Sequence, residues 1–257
     1  MNQEDQTFAY EADGMHVVVE TRPDVFTPTS TSVLLLDAVR LCVPELRRQW
    51  KSPRVLDLGC GTGISAIVLS RLFRAEGSFF ASDTSAAAAA LTASNAARMG
   101  VALECRLGSL FEPWKGATFD IIVSDVPGVS EPIARASKWF PPPVPCDTGE
   151  DGTRLAVSVL DEAPRHLTAE GCMFFPVLTL SREDEITEKA QASFRRVECL
   201  RERWFPFDAH LMSRFDLIQD LAARNIVRIR KRGSRWLWAT RIYAATSGTV
   251  PFTSGTG

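Results

Sequence analysis

Histidine is scarce in this chain, and its cysteines keep apart. His16, His166 and His210 are the only three histidines and show no metal-ligand spacing. None of Cys42, Cys60, Cys105, Cys146, Cys172 and Cys199 forms a CxxC pair. No metal site is therefore expected, and the thiols read as reduced and mostly buried. No apolar run approaches the ~20 residues of a membrane span. The start, Met1 to Gln6, lacks the basic and apolar parts of a signal sequence. The expectation is a cytoplasmic protein with no membrane partner. The net charge of −2 gives no overall pull toward polyanions. What is present, 257 residues with 45% hydrophobic and 23% charged, fits one large domain with an elaboration.

The most informative stretch is Val55-Leu-Asp-Leu-Gly-Cys-Gly-Thr-Gly63, followed by Ile64 to Ser70. Arg54 to Leu58 reads as a buried strand, and Ile64 to Phe73 as a helix with Ile64, Ile67, Val68 and Phe73 on its apolar face. Glycine at every second place between them permits positive φ and lets a ligand lie against the backbone. Asp57 stands where it would repel a pyrophosphate, and no Lys-Ser/Thr follows the glycines, so a P-loop is excluded. A carboxylate there suits a cationic ligand with an amino group and no phosphate, such as S-adenosylmethionine. A second strand, Gly77 to Ser82, ends at Asp83, about 20 residues past the turn, where a carboxylate can hold two ribose hydroxyls. Thr84 follows on the same loop.

These two segments together resemble motif I and the following acidic motif of class I S-adenosylmethionine-dependent methyltransferases. The stretch Val25-Phe-Thr-Pro28, with a helix from about Ser32 to Arg48 capped by Ser30 or Thr31, is similar to the segment before motif I in HemK-type methyltransferases, which modify glutamine in release factors, and in related small-domain methyltransferases. The resemblance runs from about Val25 to Leu178. It places Thr31 near the methionine end of the cofactor, and Ser109 and Leu110 near the adenine, where relatives often carry an acid. It also places Asp125-Val-Pro-Gly128 at the family's Asn-Pro-Pro-Tyr. There Asn and a backbone carbonyl grip a planar amino group on which Tyr stacks. Asp125 keeps an acceptor in that place, whereas the first Pro and the aromatic ring are gone. Trp139 and Phe140, in a proline-stiffened loop, can supply an aromatic wall, and Pro127 restricts the acceptor side. Asp147 to Leu155 resembles the family's G-x-D-G-L segment.

Beyond Leu178 the likeness fades. Ser213 to Arg224 reads as an amphipathic helix. Ile226 to Lys231 and Trp236 to Ala245 read as a hairpin around Arg232-Gly-Ser234. Basic residues outnumber acidic ones from Arg195 to Arg241. They form either a surface for nucleic acid or an acidic substrate, or a charged edge that prevents strand pairing.

The expected fold is a Rossmann-like, doubly wound α/β domain with a mostly parallel seven-stranded sheet and one antiparallel strand near the C-terminus. Residues 1–24 form an extension or lid, 25–246 the methyltransferase-like domain, and 247–257 a disordered tail. The cofactor is S-adenosyl-L-methionine. It is expected at Thr31, Asp57, Gly59, Gly61, Asp83, Thr84, Ser109, Leu110 and Asp125. Asp125 is the expected catalytic residue, and Pro127, Trp139 and Phe140 the expected acceptor contacts. The favoured reaction is methyl transfer to a nitrogen or oxygen of a small molecule. The alternatives are a protein-glutamine or nucleic-acid substrate, non-methyl chemistry on the same cofactor that releases methylthioadenosine, and a non-catalytic partner subunit.

Overall fold

The computed structural model describes residues 7–74, 76–142 and 144–252. Its first element is a hairpin of β1 (Thr7–Ala12) and β2 (Met15–Glu20), turned at Asp13 and Gly14, both with positive φ. Tyr10, Val17 and Val19 are buried against Leu36, Ile67, Val68 and Ala96, so the hairpin covers the outer side of the first three helices. Asn95 fastens it, donating to the Glu20 carbonyl and accepting the Glu20 N–H. No hairpin residue lines the cavity described below, and of the expected extension or lid the hairpin takes the place of an extension that braces these helices.

Then come α1 (Ser30–Gln49), β3 (Arg54–Leu58), α2 (Ile64–Leu72), β4 (Ser78–Asp83), α3 (Ala86–Arg98), β5 (Leu103–Leu107), β6 (Phe119–Ser124), α4 (Glu131–Ala136), α5 (Arg154–Glu162) and β7 (Leu167–Leu178). The C-terminal part adds α6 (Glu183–Ser193), β8 (Arg196–Pro206), α7 (Ala209–Met212), α8 (Phe215–Ala223), β9 (Arg230–Arg232) and β10 (Arg235–Thr246). The main sheet runs β5-β4-β3-β6-β7-β10-β8. Its first five strands are mutually parallel, and β10 is antiparallel to both β7 and β8. This is the expected Rossmann-like sheet with an antiparallel strand near the C-terminus. The chain winds one way from β3 through β4 to β5 and then returns to β6 on the other side of β3. The switch point therefore falls between the carboxyl ends of β3 and β6, where open α/β sheets bind ligands.

Two differences from the sequence expectation concern the C-terminal part. The sheet has eight strands, because β9 pairs with the first residues of β10 beyond the end of β7. Leu237 has partners on both sides, Pro206 of β8 and Arg230 of β9, so β9 takes the edge that β7 leaves free. Second, the segment from Ser247 is not wholly a tail. Val250 and Phe252 are buried in the core beside Phe174 because apolar side chains there gain more from burial than the chain loses in freedom. Residues 253–257 lie outside the described residues.

The core follows the two faces of the sheet. Leu35, Val39, Cys42 and Leu46 of α1 meet Val55, Ile121, Phe174 and Ile242 on one face. Leu56, Ile122, Met173 and Phe175 meet α5 and α6 on the other. A separate apolar cluster joins α8, Trp238 and Phe207 to Val129 and Ile133, seating the C-terminal helices beside the loop that follows β6.

Candidate active site

The turn after β3 is built on glycine for two distinct reasons. Gly59 has φ 78°, and a Cβ there would lie 3.0 Å from Val126 Cγ1, so this glycine lets the turn approach the loop after β6. Gly63, at φ 79°, begins α2, and a Cβ there would press to 2.9 Å from Thr92. Backbone N–H groups of Gly59 and Cys60 donate to the Ser82 carbonyl at 2.9 and 3.1 Å, tying the turn to the end of β4.

Asp83 sits at that end, half-buried. Its Oδ2 accepts the Gly61 N–H at 3.0 Å and its Oδ1 accepts the Ser85 N–H at 2.9 Å. Each carboxylate oxygen retains a lone pair, and the side chain lines the cavity. This donor set fits a ribose diol.

Asp57 is placed differently from the sequence expectation. Its side chain turns under the glycine loop and accepts the Ala66 N–H, the third of α2, at 3.1 Å. It is 1% exposed and is absent from the cavity wall. The physical reason is the helix start: unpaired N–H groups and the positive end of the dipole lie directly beneath the strand end. Burial pushes its carboxyl up to about 7, opposed by the Ala66 hydrogen bond and reinforced by Asp125 and Asp83. Asp57 thus sets the glycine turn on α2.

The cavity at the switch point measures about 350 Å³. Thr31, Gly59, Gly61, Asp83, Thr84, Ser109, Leu110, Asp125, Pro127, Trp139 and Phe140 all line it. Of the expected site residues, only Asp57 does not. Leu110 stands at φ 46°, which turns the loop after β5 toward the cavity. Thr31 Oγ1 and Thr240 Oγ1 are hydrogen-bonded at 3.0 Å, linking α1 to β10 at the cavity wall.

Asp125 follows the last residue of β6. Its Oδ2 accepts a hydrogen bond of 2.6 Å from Ser32 Oγ, and Ser32 is buried in the first turn of α1. Thr29 caps this helix, in place of the expected Ser30 or Thr31. It forms a reciprocal box in which Thr29 N–H donates to Ser32 Oγ at 3.2 Å. The cap therefore fixes the hydroxyl that holds Asp125. Burial raises the Asp125 carboxyl above its ordinary range, and the Ser32 hydrogen bond opposes this.

The loop from Asp125 to Ser130 is clamped by the 147–153 segment. Thr148 Oγ1 donates to the Val129 carbonyl at 2.6 Å, and Glu131 N–H donates to the Gly149 carbonyl at 3.0 Å. A Cβ on Gly152 would lie 2.6 Å from Ser130 N, so the backbones meet directly. A Cβ on Gly128 meets nothing within 4 Å, leaving space at the position where the resemblance to HemK-type methyltransferases implies a ring.

Other rings stand around that space. Phe26 stacks on Phe140 with centroids 5.2 Å apart, and Trp139 leans on Trp238 at 5.5 Å. Phe26, Trp238 and Ser32 were not among the residues singled out from sequence. Phe26 carried a signal, since it belongs to the V-aromatic-x-P segment. Trp238 carried none, because it arrives from a strand about a hundred residues downstream of Trp139. Among the described residues, no group of His, Cys, Asp and Glu is arranged to hold a metal ion, and no helix is long and apolar enough to cross a membrane.

Residues 17–134 match the family model for the methyltransferase small domain. The chain is 29% identical over 191 residues to the release factor glutamine methyltransferase of Thermosynechococcus vestitus, covering 70% of this chain and 64% of that one. It is 31% identical over 171 residues to the ribosomal protein uL3 glutamine methyltransferase of Bordetella pertussis, covering 65% and 55%. The chain thus spans less than two thirds of the length of these curated relatives. The structure is similar to that of the 16S rRNA N2 G1207 methyltransferase of T. thermophilus in complex with AdoMet and guanosine. That likeness has a TM-score of 0.60 at 16% identity, over 94% of this chain and 50% of that one, and it speaks to the fold alone. With the strand order, the glycine turn and the paired acidic loops already in place, residues 17–134 are similar to the methyltransferase small domain and the fold is that of class I S-adenosylmethionine-dependent methyltransferases.

Proposed function

We propose that this chain transfers a methyl group from S-adenosylmethionine to a nitrogen whose N–H is accepted by Asp125. The observation that carries the reading is the position of Asp125. Its carboxylate lies at the carboxyl end of β6, fixed by Ser32, on the same cavity as Gly59 and Asp83. Asp83 would hold the ribose, and the Gly59–Gly61 backbone would lie against the cofactor. Bound there, S-adenosylmethionine supplies a methyl carbon already activated by its sulfonium leaving group.

The residues of the chain then have three tasks. The glycine turn and Asp83 fix one reactant, and Asp125 orients the other, so that a bimolecular step becomes local. Asp125 also accepts the proton that the nitrogen sheds on methylation. Phe26, Trp139, Phe140 and Trp238 keep water from the reacting atoms with apolar surface.

Sequence alone favours a small-molecule acceptor. The relatives support a macromolecular one, since their names specify glutamine of release factors and of a ribosomal protein. A carboxylate at Asp125 and an open place at Gly128 support a planar N–H group other than the glutamine amide of those relatives.

The test uses size-fractionated cell extract as acceptor. S-adenosylhomocysteine is expected from the macromolecular fraction. Asp125→Asn keeps the shape and should bind the cofactor within about twofold of the parent while losing turnover about a hundredfold or more. Release of methylthioadenosine, or near-parental turnover of the variant, refutes the proposal.

A further inference from the structure

The charge of this molecule is unevenly divided. From Arg195 to Arg241 there are twelve Lys and Arg against five Asp and Glu, in a chain of net charge −2. Some of these cations are paired: Arg196, Arg224, Arg228 and Arg241 each rest on a carboxylate. Arg22, Arg40, Arg98 and Arg106 of the N-terminal half each rest on a carboxylate. Among the described residues, no carboxylate pairs with Arg203 of β8, with Arg230, Lys231 and Arg232 of β9, or with Arg235 of β10. All five are exposed.

These cations stand among aromatic rings. The Trp204 ring has the guanidinium carbon of Arg230 at 5.6 Å, and at 5.9 Å that of Arg228, which is paired with Glu183. Lys231 lies 5.6 Å from the Trp236 ring, and Arg203 lies 5.3 Å from Phe205. Strand alternation puts Arg203, Phe205, Lys231 and Trp236 on the face that leads to the cavity, and Trp204, Arg230, Arg232 and Arg235 on the other. Trp236, half-buried, is two residues along β10 from Trp238, which lines the cavity, a separation of about 7 Å along a strand. Phe205 is the cross-strand partner of Trp238, with rings 5.1 Å apart.

The cavity has the opposite character. Asp24, Asp83, Asp125 and Asp147 line it, and no Lys, Arg or His does among the described residues. A single anionic group would be repelled inside and attracted outside. A charged edge that merely blocks strand pairing does not require rings beside its cations. An acidic peptide would match the arm's charge, whereas rings beside cations suit the flat faces of successive bases, which such a peptide lacks.

We propose that the β8–β9–β10 arm is a docking surface for a single-stranded nucleic acid, whose backbone phosphates it holds while a base enters the cavity and presents its exocyclic amino group to Asp125. The arm's cations neutralise phosphates, and its rings offer stacking faces to neighbouring bases. The neutral, planar base suits an aromatic chamber lined by carboxylates. Base entry rests on the nitrogen-acceptor reading above, whereas the docking surface is testable without it.

The experiment is fluorescence anisotropy of the full chain with labelled oligonucleotides of about 12 nucleotides, titrated from about 50 to about 200 mM salt. Separate arms use single-stranded RNA, single-stranded DNA, duplex and a polyglutamate peptide. Binding of a single strand is expected, steeply weakened by salt, with RNA and DNA arms telling which strand is preferred. Arg230→Glu/Lys231→Glu/Arg232→Glu should weaken it at least tenfold. It should also reduce the log–log salt slope by about 2, at about 0.7 per lost phosphate contact. S-adenosylmethionine affinity, measured on the same preparation, should stay unchanged and reports that the variant is folded. Asp125→Asn should bind the strand as the parent does. A strand that binds but receives no methyl group leaves the docking surface standing and overturns base entry. No binding, binding indifferent to the triple variant, or equal affinity for duplex or polyglutamate overturns the proposal.

Discussion

Asp57→Asn separates two roles that one carboxylate can play beside a glycine turn. The structure buries Asp57 beneath the turn, where it accepts the Ala66 N–H and lines no cavity. An amide oxygen can accept the same hydrogen bond, so the helix start survives the change. What disappears is a titrating group. Its carboxyl rises from the ordinary 3.8 to about 7 in the folded chain, chiefly through burial. Between those values the folded chain binds more protons than the unfolded one, so stability falls as pH rises. The contribution is fully present below about pH 4 and is lost as pH passes through about 7. At about 1.4 kcal/mol per pH unit, the loss is bounded by roughly 4 kcal/mol. The assay is urea unfolding of parent and variant at a series of pH values, with equal m-values required for the comparison. The variant should gain on the parent steadily from pH 4 to pH 7 and hold the advantage above. Cofactor affinity should change by less than about threefold, well under 1.4 kcal/mol. Parallel stability curves would refute the burial argument. A tenfold or greater loss of affinity in the folded variant would return Asp57 to the ligand.

Asp83→Ala removes the carboxylate that faces the cavity and should weaken S-adenosylmethionine at least about tenfold, or about 1.4 kcal/mol, by calorimetry; unchanged affinity would dismiss the ribose assignment. Ser32→Ala removes the hydrogen bond that favours the ionised form of Asp125. The acid limb of the kcat profile should therefore move to higher pH, with rescue by Ser32→Thr, and a profile that stays in place would show that Ser32 only packs. Gly59→Ala places a Cβ at positive φ and 3.0 Å from Val126. It should cost about 1 kcal/mol or more of stability and weaken the cofactor; a variant with parental melting temperature and affinity would show that the turn has room to spare.

Residues in sequence determined much of this molecule directly. The strand at Arg54–Leu58 and the helix at Ile64–Leu72 stand within a residue of their expected bounds, because alternating glycines and apolar periodicity are local signals that tertiary contacts do not override. Asp83 and Asp125 were legible as cavity residues because one ends a strand and the other follows one, and parallel sheets gather those ends, whereas Trp139 and Phe140 were legible from the proline-stiffened loop after α4. Tertiary structure alone decided the rest. Asp57 reads the same whether it faces a ligand or a helix start, and only the placement of α2 beneath β3 brings it to the Ala66 N–H. Ser32 meets Asp125 across 93 positions, and Trp238 meets Trp139 from a distant strand, so no spacing could announce either contact. The hairpin of residues 7–20 and the anchoring of Val250 and Phe252 follow from which apolar surfaces were left uncovered once the sheet had formed. That quantity belongs to the assembled chain, since burial is a property of neighbours and not of order along the sequence.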